Sequence, residues 1–257
     1  MNKNRISYVD YSWNPLSMRC SFKACPCRST CWHLQMADRM SKNPQMPKEK
    51  RDAWAGVTGP YLDKKELMAP LEVKKPSRIA VHFMGDLFDE EVGIIHLAKI
   101  FSACVRSPQH QFLVLTKQVN RMVELCVRPV ENIYWGVTVT NQADTDRMIP
   151  KLLKVPGKKW VSAELLFDGF QFNPHWLGAC DCGEDPGSHS HGFLDWIVVG
   201  SSNNPRKHPC KLEWIQSIVD QCRAACVPVF VKQIPVAGKV CHDINQFPES
   251  LRVRERL

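Results

Sequence analysis

Along the chain, short apolar runs alternate with stretches of helical periodicity. The apolar runs predict seven strands, at residues 6–13, 78–84, 112–116, 133–139, 160–164, 196–199 and 227–232. Several of them, such as IAVHFM, FLVLT and WIVVG, are continuously apolar, which is typical of parallel strands covered on both faces. The periodic stretches predict helices at residues 31–41, 92–106, 119–127, 142–153 and 211–225, and Pro150 leaves the end of the fourth open.

This alternation predicts an α/β fold, a complete or partial TIM-type (β/α) barrel, in a single domain over residues 1–257. An open, doubly wound sheet is the alternative. No G-x-G-x-x-G follows a strand and no Walker A sequence occurs, so nothing supports dinucleotide or P-loop chemistry. Two segments interrupt the alternation, at about residues 42–75 and 172–193, and both are predicted to be excursions from the barrel.

The compartment is predicted from the absence of membrane and export signals. No apolar run reaches the length of a membrane span, and the polar N-terminus lacks the apolar core of a signal peptide. We therefore expect a soluble, cytoplasmic protein with no membrane partner, whose 12 cysteines are thiols or metal ligands rather than disulfides. The net charge of +8 favours an acidic partner, with DNA or RNA the leading candidate.

The strongest local signal is a group of four cysteines, Cys20, Cys25, Cys27 and Cys31, between the first predicted strand and the first predicted helix. In a barrel this connection lies at the face where active sites form. Clustered thiolates bind iron–sulfur clusters or zinc, and a following helix N-terminus stabilises their negative charge. Four ligands would close the site, whereas three would leave one metal position open. A structural zinc loop is the alternative.

Seven blocks along the chain carry a resemblance to a known family. YSWNPLSMRC…C…CW is followed in order by MGDLFDE, LTKQVNRM, GVTVTNQ, SAELL, WIVVG and VPVFVKQ. Together they resemble a phage- and prophage-borne protein family with WNP–x–TGC, LTKRPERM, GVSVENQ and FFKQ blocks. That family is in turn similar to radical S-adenosylmethionine (SAM) enzymes, particularly the spore photoproduct lyase branch.

The resemblance implies a 4Fe–4S cluster on Cys20, Cys27 and Cys31, with SAM as second cofactor and a reductant protein as partner. The function it implies is modification or repair of nucleic acid or a nucleotide. The last spacing here is C-x-x-x-C, and the usual C-x-x-x-C-x-x-C is absent. Cys25 is an additional thiol that can replace one of the three or act as a fourth ligand. An iron–sulfur protein that does not cleave SAM and a zinc-stapled nucleic-acid-binding protein therefore remain alternatives.

Polar residues at the ends of the first predicted strands are candidates for cofactor and substrate contacts. Asp86 is expected to bind the SAM amino group or a ribose hydroxyl, unless it caps the helix at 92–106. Lys117 matches the LTK block and is a candidate catalytic residue that contacts phosphate or carboxylate, the alternative being a solvated lysine. Asn141, with Gln142, is expected to contact a nucleobase or sugar, unless Asn141 caps the next helix.

Later strands end in a second set of candidates. Glu164 ends the strand at 160–164, and Lys232 ends the strand at 227–232. We predict that both are catalytic and that the next residue, Gln233, binds a cofactor; the alternative for Lys232 is a structural ion pair with a barrel carboxylate. In the loop after 196–199, Ser201 stands where the family has glutamate, and Arg206 and Lys207 are candidates to meet phosphate.

The segment 172–193 contains residue types that could form a second metal site. It contains Cys180, Cys182, His189 and His191, which are soft zinc ligands in a short polar loop. The C-x-C and H-x-H spacings are tighter than those of common zinc knuckles, so an unliganded surface loop is the preferred interpretation.

Overall fold

The computed structural model describes residues 1–3, 6–23, 25, 28–126, 128–178, 192–204 and 206–257. Its contacts divide the chain into two compact units. We call Met1–Gln118 the N-terminal unit and Val119–Leu257 the C-terminal unit. The predicted single domain is not tested by this division and stays a prediction.

The N-terminal unit combines a mostly parallel sheet with helices. Its strands are β1 (Asn2–Lys3), β2 (Tyr11–Trp13), β3 (Leu16–Ser17), β4 (Tyr61–Leu62), β5 (Arg78–Val81) and β6 (Gln111–Thr116), and its helices are α1 (Trp32–Ser41), α2 (Lys48–Ala55), α3 (Lys64–Glu72) and α4 (Ile94–Val105). The sheet order is β1-β2-β5-β6, in which β1 is antiparallel to β2 and the other pairs are parallel. Strands β3 and β4 form a separate antiparallel pair.

The C-terminal unit also combines a mostly parallel sheet with helices. It contains β7 (Ile133–Thr138), β8 (Lys158–Ala163), β9 (Trp196–Gly200), β10 (Val229–Val236) and β11 (Lys239–Cys241), with α5 (Val119–Leu125), α6 (Gln142–Leu152) and α7 (Leu212–Ala224). Strands β7 to β10 are parallel neighbours in chain order, and β11 returns antiparallel to β10. Every residue of β7 and β9 is buried, as expected for parallel strands covered on both faces.

The α/β prediction is confirmed, with all seven predicted strands and all five predicted helices present and boundaries shifted by a few residues. The prediction of a closed barrel is not met by the strand pairs described, because within each unit the pairs run from one edge strand to another and never return to the first. Parallel strands joined by helices occur in both open sheets and barrels, so the sequence pattern does not distinguish the two. Pro150 is accommodated in the last turn of α6, which continues to Leu152.

The two expected excursions differ. Residues 42–75 contain α2, β4 and α3, and this segment buries Ala53 and Trp54 in the N-terminal unit. The indole nitrogen of Trp13 donates to the carbonyl oxygen of Glu66 at 2.7 Å, which fixes α3 beside β2. In residues 172–193 the structure describes a short 3₁₀ helix at Pro174–Leu177, whereas Cys180, Cys182, His189 and His191 lie outside the described residues.

No helix in the described part of the chain is both long enough and apolar enough to cross a membrane.

Candidate functional site

The cysteine loop, residues 20–31, follows β3 and leads into α1. Its described cysteines Cys20, Cys25 and Cys31 are half-buried, and Cys27 lies outside the described residues. The backbone turns tightly, because the amide of Arg28 donates to the Cys25 carbonyl at 3.0 Å and the amide of Cys31 donates to the Arg28 carbonyl at 3.3 Å. Cys31 is the N-cap residue of α1, so its thiol lies at the positive end of the helix dipole.

A buried carboxylate attaches this loop to the connection between β5 and α4. Asp89 is fully buried and accepts hydrogen bonds from the Ser21 amide at 2.8 Å and from the Ser21 hydroxyl at 2.6 Å. A third donor, the amide of Glu91, lies 3.1 Å away. Ser21, the residue after Cys20, is thereby held by two hydrogen bonds to Asp89, which is 68 residues away in sequence. This restricts where the Cys20 thiol can lie.

The surroundings of Cys20 favour a neutral thiol. Burial raises its pKa to about 12, a hydrogen bond with the Phe22 backbone opposes the shift, and the nearby charges of Asp89 and Asp86 add to it. A thiolate forms here only if a positive charge compensates it, as a coordinated metal ion does. The environment is therefore that of a metal ligand or of an inert thiol, and not that of a reactive nucleophile.

Two buried histidines lie in the same unit. His82 follows β5 in a left-handed conformation with φ of 55°, and its Nε2 lies 3.3 Å from the Met18 sulfur. His33, in the first turn of α1, is 4% exposed. Both nitrogens of His33 and Nδ1 of His82 have no hydrogen-bond partner among the described residues. Burial is the main cause that lowers the pKa of His33 to about 4 and that of His82 to about 3, so both rings are neutral at pH 7.

The donor chemistry of the loop fits an iron–sulfur cluster. Three half-buried thiols lie within one short segment, one of them at a helix N-terminus, and the unpartnered nitrogens of His33 follow two residues later. The described residues alone form no group of three or more His, Cys, Asp or Glu side chains close enough to hold a metal. Because Cys27 is outside that set, the ligand set Cys20, Cys27 and Cys31, with Cys25, stays a prediction.

Asp86, in the connection that follows β5, is brought together with Lys117, which directly follows β6. The buried Asp86 carboxylate accepts from the Thr116 hydroxyl at 2.6 Å, from the Lys117 amide at 2.9 Å and from the Phe88 amide at 3.0 Å. Burial raises the pKa of Asp86 and these three donors oppose the shift. Asp86 does not cap α4, whose N-cap residue is Gly93, so the helix-cap alternative is wrong. Its cofactor role and the catalytic role of Lys117 stay predictions.

In the C-terminal unit, Glu164, which follows β8, meets Lys232 and Gln233 in the middle of β10, a strand that continues beyond the predicted end at 232 to Val236. The Lys232 ammonium lies 2.5 Å from Oε1 of Glu164, and Nε2 of Gln233 donates to the same oxygen at 3.1 Å. Consecutive residues of a regular strand point to opposite faces. Here the register shifts between Val231 and Gln233, so that both side chains reach Glu164. The structural ion pair considered for Lys232 is present, and its catalytic role stays a prediction.

The amide of Gln233 is oriented by its acceptors. Besides Glu164, Nε2 reaches the Ser201 carbonyl at 2.6 Å and Oδ1 of Asn203 at 3.2 Å. A flipped amide would direct its oxygen at these three oxygens, so the orientation is fixed. As a result Oε1 of Gln233 is buried with no donor among the described residues, and the buried hydroxyl of Ser201 likewise has no partner there.

The other predicted contacts in this unit have local roles. Asn141 is the N-cap residue of α6 and accepts from the Asp144 amide at 2.9 Å, as the alternative interpretation expected. Gln142 bonds with the backbone of Gln171 through both ends of its amide, at 3.0 and 2.8 Å. Arg206 and Lys207 are exposed in the loop after β9. Binding of cofactor by Asn141 stays a prediction.

Sequence reasoning missed Asp89, His33 and His82 as members of the cysteine-loop surroundings. Asp89 belongs to the MGDLFDE block, but its partner Ser21 is 68 residues away, a pairing that no local pattern reveals. His82 carried a usable signal, since it is a lone polar residue in the apolar run IAVHFM.

Searches among curated proteins and among solved structures found no match to this chain. A family model described as "Protein of unknown function (DUF5131)" matches residues 3–245, which is nearly the whole chain. The chain belongs to this family.

Proposed function

We propose that this protein is an iron–sulfur enzyme of the radical SAM type that modifies or repairs nucleic acid or a nucleotide. The observation that carries the proposal is the cysteine loop, which presents half-buried thiols ahead of α1 and is tied to the buried Asp89 through Ser21. The seven ordered sequence blocks and the net charge of +8 support it independently.

The cluster would be held by Cys20, Cys27 and Cys31, with Cys25 as a replacement or fourth ligand. Such a cluster supplies one electron for reductive cleavage of SAM. Asp89 and Ser21 position the loop, and the N-terminus of α1 compensates thiolate charge at Cys31.

In the C-terminal unit, Glu164 holds the ammonium group of Lys232, in the middle of β10. The side chains are only 11% and 14% exposed, so water screens this pair weakly. In the proposal Lys232 Nζ is the group that donates a hydrogen bond to substrate, and Glu164 holds it in place.

The proposal also includes the topology of the sheet, the location of the protein and its partner. We propose a partial (β/α) barrel, supported by the order of parallel strands and helices within each unit, and a cytoplasmic location with a reductant protein as partner.

The test is anaerobic reconstitution of the full chain with iron and sulfide. We expect a brown protein with a broad absorbance near about 400 nm and roughly four irons per chain. Addition of dithionite and SAM should then release 5′-deoxyadenosine, detected by chromatography. A protein that retains no iron and shows no such absorbance would contradict the proposal.

Single serine substitutions identify the ligands. C20S, C27S and C31S should each lower the iron content, and C25S will decide whether that thiol is a ligand. The matched control is Cys226→Ser, because Cys226 is an exposed cysteine of the other unit and should not affect the iron content. Equal iron content in C20S, C31S and the control would exclude the cysteine loop as the site.

The same experiment separates the alternatives. Zinc bound without iron would favour a zinc-stapled nucleic-acid-binding protein. An intact cluster that releases no 5′-deoxyadenosine would favour an iron–sulfur protein that does not cleave SAM.

A further inference from the structure

An exposed tryptophan follows the cysteine loop directly. Trp32, the first residue of α1, is 54% exposed, whereas the other seven tryptophans, all within the described part of the chain, are buried or half-buried. Its ring meets that of His33 edge to face with the centroids 6.3 Å apart, and the His33 ring packs against the buried Trp54 of α2 at 5.7 Å. Trp32 is therefore held on one side by buried rings while more than half of its surface is open to solvent.

The segment around Trp32 is strongly basic. Residues 19–42 have five cationic side chains and one carboxylate, a net charge of +4 out of the chain's +8. The carboxylate, Asp38, is already paired with Arg19 at 2.7 Å. Exposed Glu90 and Glu91, on the connection tied to the loop, reduce the positive charge without reversing it. The other four cations have no carboxylate partner among the described residues: Lys23, Arg28, Arg39 and Lys42.

Cations lie on both sides of the tryptophan. Arg28 precedes it by four residues, and its Nη1 donates to the backbone of the cysteine loop at 2.9 Å. Arg39 follows by seven residues, two turns of α1, which places it on the same helix face about 10 Å along the axis. Nη2 of Arg39 lies 2.9 Å from the Met36 sulfur, which directs the guanidinium back along the helix towards Trp32. We call Lys23, Arg28, Trp32 and Arg39 the Trp32 surface.

The chemistry of this surface selects the ligand class. A ligand that fits must be anionic and must also present a flat, apolar face. Each nucleotide of a nucleic acid brings both, a phosphate and a base, whereas the carboxylates of an acidic protein come without a ring beside each charge. In a duplex both faces of a base are covered by its neighbours, so only an unpaired base can stack on an indole. The surface therefore fits a single strand.

We infer that the Trp32 surface binds single-stranded nucleic acid, with one base stacked on Trp32 and the flanking phosphates bound by the cations. Cys31 is the residue before Trp32, so the stacked base lies beside the cysteine loop. That this base is the substrate rests on the proposed function, whereas binding of the strand rests on the exposed tryptophan and the cations alone.

The experiment is a fluorescence titration of the full chain with a single-stranded oligonucleotide of about 12 nucleotides and with the duplex of the same sequence. Stacking should quench the tryptophan fluorescence, because Trp32 is the exposed indole. The single strand should bind at least about tenfold more tightly than the duplex. Equal or tighter binding of the duplex, or binding of the single strand without quenching, would overturn the inference.

The variant Trp32→Ala separates stacking from charge. It should weaken binding of the single strand at least about fivefold and remove most of the quenching, whereas Trp32→Phe keeps a ring and should retain most of the affinity. The melting temperature should change little, since the indole is mostly exposed. The matched control is Val105→Ala, at a residue of α4 that is 55% exposed, and it should bind like the wild type. A W32A protein that binds the single strand as tightly as the wild type would leave the cations as the whole site and overturn the inference.

Iron content is measured on the same samples after reconstitution. If the strand binds through Trp32 and no iron is retained, the Trp32 surface stands and the iron–sulfur proposal fails. If iron is retained and W32A binds the strand like the wild type, the Trp32 surface alone is rejected.

Discussion

Asp89 is the residue on which the position of the cysteine loop most depends. In the variant Asp89→Asn, one carboxylate oxygen becomes an amide nitrogen that cannot accept from Ser21. We expect the free energy of unfolding to fall by about 1–3 kcal/mol, because the partly buried Ser21 loses a hydrogen bond to a fully buried side chain. Urea unfolding measures this loss, and hydrogen exchange should show faster exchange of the Ser21 amide.

The control for this variant is Glu90→Gln. Glu90 is exposed, and its contact with the Ser21 hydroxyl is long, at 3.4 Å. E90Q should change the stability by less than about 0.5 kcal/mol. If D89N and E90Q unfold at the same urea concentration, Asp89 does not anchor the loop.

His82 makes stability depend on pH. Folding lowers its pKa from 6.5 to about 3, so below pH 6.5 the unfolded chain binds a proton that the folded chain does not bind until about pH 3. The free energy of unfolding therefore decreases as the pH falls through this window, by up to about 1.4 kcal/mol per pH unit. His33 acts with the same sign down to about pH 4.

The variant His82→Asn tests this effect, since asparagine tolerates the left-handed backbone at this position better than most residues. In urea titrations at pH 7 and pH 5, H82N should lose less stability between the two values than the wild type. His175→Asn, at an exposed histidine, should keep the wild-type difference. An H82N protein that loses as much stability as the wild type would contradict the assignment.

At the scale of elements, β7 and β8 approach closely at a glycine. Gly136 pairs with Trp160 across the two strands, and a Cβ atom on Gly136 would lie 2.3 Å from the indole nitrogen of Trp160. Trp160 is fully buried and donates to the Tyr134 carbonyl at 3.2 Å, so it has no room to move away. The glycine is therefore required by the neighbouring strand.

We expect Gly136→Ala to lower the free energy of unfolding by about 1–3 kcal/mol or more. The double variant G136A/W160F should recover part of this loss relative to W160F alone, because the smaller ring leaves space. Gly59→Ala, where no atom lies within 4 Å of the added carbon, should be neutral. Thermal unfolding decides, and a G136A protein as stable as G59A would show that the strands adjust without cost.

The central strands were predictable because they are continuously apolar, and burial on both faces imposes that composition. Helices α2 and α3 were missed. The segment that contains them is rich in lysine and proline, and its buried side chains, such as Trp54, are too few to produce a clear periodicity. Strands β1, β3 and β4 have two residues each, which is below the length at which alternation can be recognised.

At the scale of the molecule, the net charge of +8 predicts binding to nucleic acid that weakens with salt. The logarithm of the affinity for a single-stranded oligonucleotide should fall linearly with the logarithm of salt concentration, by about 0.7 per phosphate contact. Fluorescence anisotropy between about 50 and 200 mM salt measures the slope.

The variant R206Q/K207Q removes two exposed charges in the loop after β9 and should reduce this slope. K64Q/K65Q, which removes two exposed lysines from the first turn of α3, is the control of equal charge and should leave the slope closer to that of the wild type. If the wild type does not bind at the lowest salt concentration, the nucleic-acid partner is wrong.

The candidate site was predictable only where a residue closely follows a strand that the sequence reveals. Asp86 and Lys117 were found because they come after the predicted strands at 78–84 and 112–116, and their contact is consistent with the parallel pairing of β5 and β6. The unpartnered atoms of Ser201 and Gln233 could not be found, because which groups lack a partner depends on all the neighbours at once.

The extra residue in β10 makes this part of the chain sensitive to length. A strand alternates its side chains with a period of two, and the shift between Val231 and Gln233 is what turns Lys232 and Gln233 to the same oxygen of Glu164. Deleting a single codon here would keep the composition almost unchanged yet send one of the two side chains to the opposite face. The register of the strand, more than the identity of any one amino acid, is what preserves the contacts in this part of the sheet.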